Sequence, residues 1–313
     1  MIGVARKLGV IPLLFMLVSF GIFILIDLAP GDVAIEVAGQ NASDSDIARV
    51  RSELGLNRPL LARYGAWLVS AVTGDLGQSL TRNQSVGKLI VSRLEPTLAL
   101  AFSAILIAIV VGGLLGIIAA VFKGRKIDQA ISLFAAAGIA LPQFWVGLVL
   151  VSFFSLQQRM LPATGYTAFG DGFGDWAKHL VLPAVALAWM SAAELLRHVR
   201  SAAIEVLEKP YILTARAKGM GTAYIVRKHV IRNTGIPVVT VLGTRVAQLL
   251  GGTVVIETVF GIQGLGTLTV QSVLSRDMPV ILGVVALATA VVLVINFLVD
   301  LSYSVIDPRA ANS

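Results

Sequence analysis

Six apolar stretches, at 8–28, 98–122, 132–156, 179–196, 235–256 and 279–302, decide what this chain can fold into. Each is long enough to cross about 30 Å of hydrocarbon, which takes roughly 20 residues. The fourth is the least regular, with Glu194 and Arg197 crowding its end. Composition agrees: 56% of the 313 residues are hydrophobic and only 14% are charged, with mean hydropathy +0.84. A soluble domain carries nearer a quarter charged residues, so the solvent here is lipid. The expected class is an all-α integral membrane protein with six transmembrane helices. Arg6 and Lys7 precede the first stretch as they would a secretory signal, but the run is too long and LIDLAPGD at 25–32 offers no small-residue cleavage site. It is therefore expected to stay as a first span.

Charge placement gives the expected orientation. Arg6 and Lys7, then Lys123, Arg125 and Lys126, then the cluster at 197–232, and finally Arg309 all fall on one side. The short loops of the other side offer only Arg159, Lys178 and Arg276. The positive-inside rule puts both termini in the cytoplasm and 30–96 outside. Net charge +7 and pI near 9.9 reflect loops beside apolar spans, which favours lipid head groups and topology signals over nucleic acid. The absence of Cys removes disulfides, thiolate metal sites and Cys nucleophiles.

The external segment carries helix signals. Ser43 with Asp46 makes a capping-box-like start for a helix over 46–54, ended by Gly55. Pro59 suits a helix N1 position, and Leu60, Tyr64, Trp67, Leu68 and Ala71 follow at amphipathic spacing. That helix either lies on the outer surface of the spans or packs on a small core of its own; periodicity leaves both open. Val86, Leu89, Ile90 and Leu94 form a further helical face leading into Pro96. Gly112 and Gly116 form a GxxxG pair of the kind that lets two spans approach closely.

The longest polar segment of the second half is YILTARAKGMGTAYIVRKHVIRNTGIP at 211–237. It reads as a short helix over 212–218, a break at Gly219 and Gly221, and a second helix capped by Thr222, with Pro237 marking entry into the next span. On charge alone it is a cytoplasmic loop. No energy source of the chain's own is visible. Gly-Lys occurs only at Gly87-Lys88, and Arg82 stands where a Walker A loop needs its first Gly. HExxH and GxSxG are absent, and His179, His198 and His229 are not spaced for a metal. No catalytic residue, metal site or cofactor is expected.

Ionisable and polar groups inside spans are costly and usually functional. Arg245 with Gln248, Glu257, Asn296 and Asp300 are the candidates, as lining of a polar passage or as interhelix glue. One Arg without a chain of acids makes a poor proton relay, which favours glue. An ion-driven transporter working alone is the competing class, against which stands the lack of matching halves with broken spans.

The 211–237 loop resembles the cytoplasmic loop of permease subunits of binding-protein-dependent ABC importers. Thr214 and Ala215 match the start of that family's short signature and Gly219 its Gly. Leu213 stands where the initial Glu is usual, and HVIR at 229–232 replaces the usual Ile-x-Leu-Pro. Both departures resemble the dipeptide, oligopeptide and nickel branch. So do LAPGD at 28–32, LGLNRPL at 54–60, GDLGQS at 74–79, RLEPTLALA at 93–101, PQFWVGL at 142–148 and LPATGY at 161–166. LLGGTVVIETVF at 249–260, GLG at 264–266, RDMP at 276–279 and VDLSYSVIDPR at 299–309 extend the likeness along nearly the whole chain. Gln263 departs from the branch, which more often has Pro there.

The resemblance implies a type I ABC importer permease fold of the bacterial or archaeal plasma (inner) membrane. It divides the chain into a first transmembrane helix at 1–29, an external helical segment at 30–93, a permease core at 94–303 and a cytoplasmic tail at 304–313. It implies half of a channel: a heterodimer with a second homologous permease, two cytoplasmic ATP-binding subunits and an external substrate-binding protein. Dipeptides or oligopeptides are the implied substrate, with nickel or another small solute the alternative. Within the cytoplasmic loop at about 197–234, Thr214, Ala215, Arg216, Lys218 and Gly219 are expected to couple to the ATPases, with Ala215 and Ala217 small enough for close approach.

Overall fold

A computed structural model describes residues 2–28, 33–39 and 41–306, and their side chains except at 2–11, 26, 33, 36, 236–242, 244–250 and 298–306. The described chain is helical, and its one extended pairing is an isolated bridge between Gln78 and Ser85. In order come α1 (Ile2–Asp27), α2 (Val33–Ala38), α3 (Asp44–Glu53), α4 (Leu60–Val72), α5 (Val86–Val121) and α6 (Lys126–Ala140). Then follow α7 (Gln143–Leu150), which continues as a π-helical segment Val151–Gln157, α8 (Phe173–Leu207), α9 (Pro210–Ala217) and α10 (Thr222–Ile225). A second π segment, Val226–Val230, joins α10 to α11 (Ile231–Val259), and α12 (Leu265–Leu274) and α13 (Met278–Ile306) complete the chain.

Among the described residues, α5, α8 and the Met278–Phe297 part of α13 are each long and apolar enough to cross a membrane. The expected straight span at 132–156 is instead a bent pair: Lys126–Ala140 and Gln143–Gln157 meet at 106°. The cause is local. Leu141 precedes Pro142, whose ring disfavours helical backbone before it, and Leu141 takes ψ 129°. Stretches 8–28 and 235–256 correspond to α1 and α11 as helical backbone, with many of their side chains outside the described residues. Two boundaries also differ from expectation. Pro59 is the extended N-cap of α4, not its first helical residue, and α5 runs unbroken through Pro96 from Val86 to Val121.

The chain divides into two compact units, Met1–Glu95 with Gly264–Val294, and Pro96–Gln263 with Ile295–Ser313. In the first, α4 packs on α1 instead of building a core of its own. Tyr64 stacks among Phe20, Phe23 and Trp67, its hydroxyl bonds Ser19 Oγ at 2.9 Å, and it donates to the Met16 carbonyl at 3.0 Å. Val86, Leu89 and Ile90 of α5 pack on Leu268, Val280 and Val284 of α12 and α13. At α3 the Ser43 hydroxyl accepts the Asp46 N–H at 3.3 Å and donates to the Asp46 carboxylate at 2.6 Å. That bond, with Arg49 nearby, lowers the Asp46 pKa below the usual carboxylate range.

One buried carboxylate closes this unit. Asp277, 1% exposed, accepts the Leu80 N–H at 3.1 Å and the Thr81 hydroxyl at 2.9 Å, together with the Ser79 hydroxyl. The segments GDLGQS and RDMP, far apart in sequence, thus meet at Asp277.

In the second unit α8 is the common packing partner of α5, α6, α7 and α11. Its small residues let the neighbours come close. A Cβ placed on Gly112 would lie 2.6 Å from the Ala192 carbonyl oxygen, and one on Gly116 would lie 2.8 Å from that of Leu196. The GxxxG pair is therefore a contact of α5 with α8. Gly138 of α6 repeats the device, since a Cβ added there would lie only 2.5 Å from Ala193 Cβ. Leu180, Leu187, Leu100, Ile256 and Phe260 fill the centre of the unit.

Candidate coupling site

The loop at 208–230 is built as an extension of α8. That helix has 35 residues, about 52 Å at 1.5 Å each, longer than the hydrocarbon is thick. Lys209 is extended, and Pro210 takes the first position of α9, where the missing N–H costs nothing. The far end is a Schellman turn. Gly219 adopts φ +79° and donates its N–H to the Arg216 carbonyl at 2.9 Å, while Met220 donates to the Ala215 carbonyl at 3.1 Å. Met220 then folds back on Ile212, Ala215 and Ile225, which are buried together.

The predicted coupling residues separate on the two faces of α9. Thr214, Arg216 and Lys218 are exposed, as are Tyr211, Leu213, Ala217 and Gly219. Ala215 is 8% exposed and packs inward on Ile225, in the loop's own core. Thr222 is not the cap of the next helix: Gly221, at φ −68° and ψ 154°, is the N-cap, and Thr222 is the first helical residue. Nor does Pro237 open a new element, because backbone helix runs from Thr222 to Val259 through the π segment. In that segment Lys228 donates to the Tyr224 hydroxyl at 2.7 Å, and the His229 ring lies 5.7 Å from that of Tyr211.

Polar anchors tie the root of this loop to the turn between α5 and α6. Arg200 of α8 grips Asp128 in a two-pronged pair, Nε to Oδ1 at 2.6 Å and Nη2 to Oδ2 at 2.8 Å. The Gly124 N–H adds a bond to the same carboxylate at 2.9 Å, from a turn in which Gly124 holds φ +79°. Lys123 pairs with Glu208 at the end of α8, and Ala120, Ala203, Val206 and Val230 pack beneath. Sequence reasoning missed this pair. Its one legible signal was Asp128 as the single acid closing the basic run KGRKID at 123–128.

Of the intramembrane candidates, Glu257 and Asn296 have described side chains. Glu257 is fully buried and accepts a 2.6 Å bond from the Thr97 hydroxyl, joining α11 to α5 alongside further contacts. Asn296 is exposed on α13. Arg245, Gln248 and Asp300 lie outside the residues whose side chains are described. The loop thus offers exposed cations, hydroxyls and apolar side chains on a short, firmly capped helix. Such a surface suits docking in a groove of another protein.

Comparison with known proteins decides the family. The model for the binding-protein-dependent transport system inner membrane component matches residues 112–312, and that for its N-terminal part matches 2–101. The chain belongs to this family. As an ABC permease it carries no ATPase site of its own, and hydrolysis falls to partner subunits. It works with an ATPase and a substrate-binding protein, as a multi-pass membrane component. A Sinorhizobium fredii protein named a probable peptide ABC transporter permease is 39% identical over 293 residues, covering 94% of each chain. The glutathione transport system permease protein of Escherichia coli is 39% identical over 305 residues, covering 97% of each. The permease fold is also that of the inward-facing MetNI methionine ABC transporter, with TM-score 0.58, 21% identity, and coverage of 70% of this chain and 96% of the other.

Proposed function

We propose that this permease forms half of a channel importing dipeptides or oligopeptides, paired with a second related permease and seated on two ATP-binding subunits. The observation that carries the substrate class is 39% identity, over 94% of both lengths, to a relative named for peptide transport. The glutathione relative points to the same chemistry, since glutathione is itself a small peptide. A nickel or other small-solute importer is the alternative.

In this reading six spans place both termini and α9 in the cytoplasm, and the segment at 30–93 faces the external binding protein. Closure of the ATPase pair on ATP moves α9, and the displacement swings the spans between inward and outward openings as rigid bodies. Thr214, Arg216 and Lys218 meet the ATPase surface, while Ala215 and Gly219 hold the helix in shape. Two supports stand behind this: the capped geometry of α9, and its anchorage to the α5–α6 turn through Lys123–Glu208 and Asp128–Arg200. Glu257 acts as interhelix glue in this reading, through Thr97.

The test is purification of this chain from its native membrane with its associated subunits, followed by reconstitution in vesicles. ATP-dependent uptake of a labelled dipeptide, abolished by omitting the binding protein, is expected. Uptake of nickel but not peptide would shift the substrate. Activity of the chain alone under an ion gradient would overturn the proposal.

A further inference from the structure

The break between α6 and α7 lies inside the hydrocarbon, with α8 as the ruler. A Cβ added to Gly138 of α6 would lie 2.5 Å from that of Ala193, and one added to Gly147 of α7 would lie 3.5 Å from that of Ala186. Between them, Gln143 Oε1 and Leu187 Cδ1 both stand 3.4 Å from the Cβ position of Gly252. At 1.5 Å per residue, Ala186 and Ala193 are about 10 and 21 Å along the apolar stretch 179–196, itself about 27 Å long. The break falls between those depths.

A helix interrupted there leaves polar backbone behind. Pro142 has no N–H to give, and the turn keeps only Leu141 N–H to the Ala137 carbonyl at 3.0 Å and Val146 N–H to the Pro142 carbonyl at 3.2 Å. Among the described residues, no other backbone bond reaches the carbonyls of 138–141 or leaves the N–H groups of 143–145. Nor does this chain cover the break. Ala140 and Pro142 are exposed, and Phe144 and Trp145 beside them are exposed by 46% and 47%.

Unbonded backbone does not rest against acyl chains. At membrane depth it occurs only within protein or along a water-filled cavity. The break sets acceptors beside donors, and an extended peptide presents amides of both kinds. A metal ion would use the carbonyls alone.

We infer, on the reading of this chain as half of a peptide channel, that the break at 138–145 lines the water-filled path and bonds the backbone of the peptide in transit. Pro142 is then the residue that keeps a polar station open in an apolar span.

The test uses single thiols, which have no background in this chain because it contains no Cys. The Cys residues of the partner subunits are replaced, and the assembled transporter is studied in vesicles. Ala140→Cys and Leu141→Cys are expected to react with a charged, water-soluble thiosulfonate about tenfold faster than Leu106→Cys and Leu114→Cys, exposed apolar positions of α5. Peptide-loaded binding protein with ATP is expected to slow the reaction at Ala140→Cys about fivefold, and unloaded binding protein to leave it unchanged. Hydrogen exchange of the unsubstituted protein checks water access independently: the amides of Phe144 and Trp145 should exchange well ahead of those of Leu187 and Ala188. Labelling no faster than at the α5 positions, with slow amides, means that protein or lipid seals the break, and overturns the assignment. Fast labelling that loaded and unloaded binding protein affect alike puts water at the break without cargo, and overturns the peptide contact. Uptake of a labelled dipeptide by the Cys-free assembly separates the two readings. Uptake with a sealed break strikes this assignment alone, whereas uptake of nickel and not of peptide strikes the peptide reading and the peptide contact with it.

Discussion

Gly219→Ala tests the geometry of α9 with little else disturbed. A Cβ at this position would meet nothing within 4 Å, so no clash contributes. The cost arises from φ alone: Gly219 sits at +79°, where an L side chain loses about 1–2 kcal/mol. Every 1.4 kcal/mol is tenfold, so the open population of the last turn of α9 should rise about five- to thirtyfold. Hydrogen exchange reads this directly at the amides of residues 219 and 220, which bond the Arg216 and Ala215 carbonyls at 2.9 and 3.1 Å. Gly219→Asn, which tolerates the left-handed region better, should fall between wild type and Ala. Unchanged exchange at both amides would refute the Schellman turn as the lock of this helix. If exchange rises as expected while ATP hydrolysis stimulated by the loaded binding protein is untouched, the turn is right and the coupling role is wrong.

Other substitutions probe the anchors. Asp128→Asn leaves Arg200 without its carboxylate and should destabilise the complex by about 2 kcal/mol, a value reduced because the Arg200 side chain is 28% exposed. Thermal unfolding of Asp128→Asn, Arg200→Gln and the double variant should show strong coupling, and additive losses would count against the pair. Asp277→Asn places an NH₂ among the donors of Ser79, Leu80 and Thr81; limited proteolysis should then cut at 77–85, and resistance there would contradict the clasp. Gly138→Val drives methyl groups into Ala193, only 2.5 Å from a first Cβ, and should cost about 1–3 kcal/mol, visible as lost monodisperse yield in detergent.

The sequence made the helices legible wherever the backbone's demand for bonding in lipid leaves one solution. It read Ser43 as a cap and Gly219 as a helix end because single residues with special geometry act locally. Pro misled in both directions. Pro96 looked like a boundary and lies inside α5, whereas Leu141-Pro142 was passed over inside an apolar run and breaks it by 106°. Apolar periodicity cannot distinguish these cases, since the neighbours that hold a Pro-containing helix together are remote in sequence. The same holds for Asp128–Arg200 and Asp277–Ser79, separated by 72 and 198 residues. The burial of Ala215 against Ile225 was not legible, because an alanine reads alike in a core and at an interface.

The unit that Asp277 closes is discontinuous, and this sets an order of assembly. The other unit also takes in Ile295–Ser313, but its elements gathered round α8 lie within Pro96–Gln263 and are available once residue 263 has been synthesised. Met1–Glu95 must wait for Gly264–Val294, since Ser79, Leu80 and Thr81 have no carboxylate to surround until the ribosome has passed Asp277. During that interval the N-terminal third is an unfinished fold that still lacks its partner segment. A chain stopped at 263 should therefore protect 96–263 from protease while 1–95 remains open to cleavage.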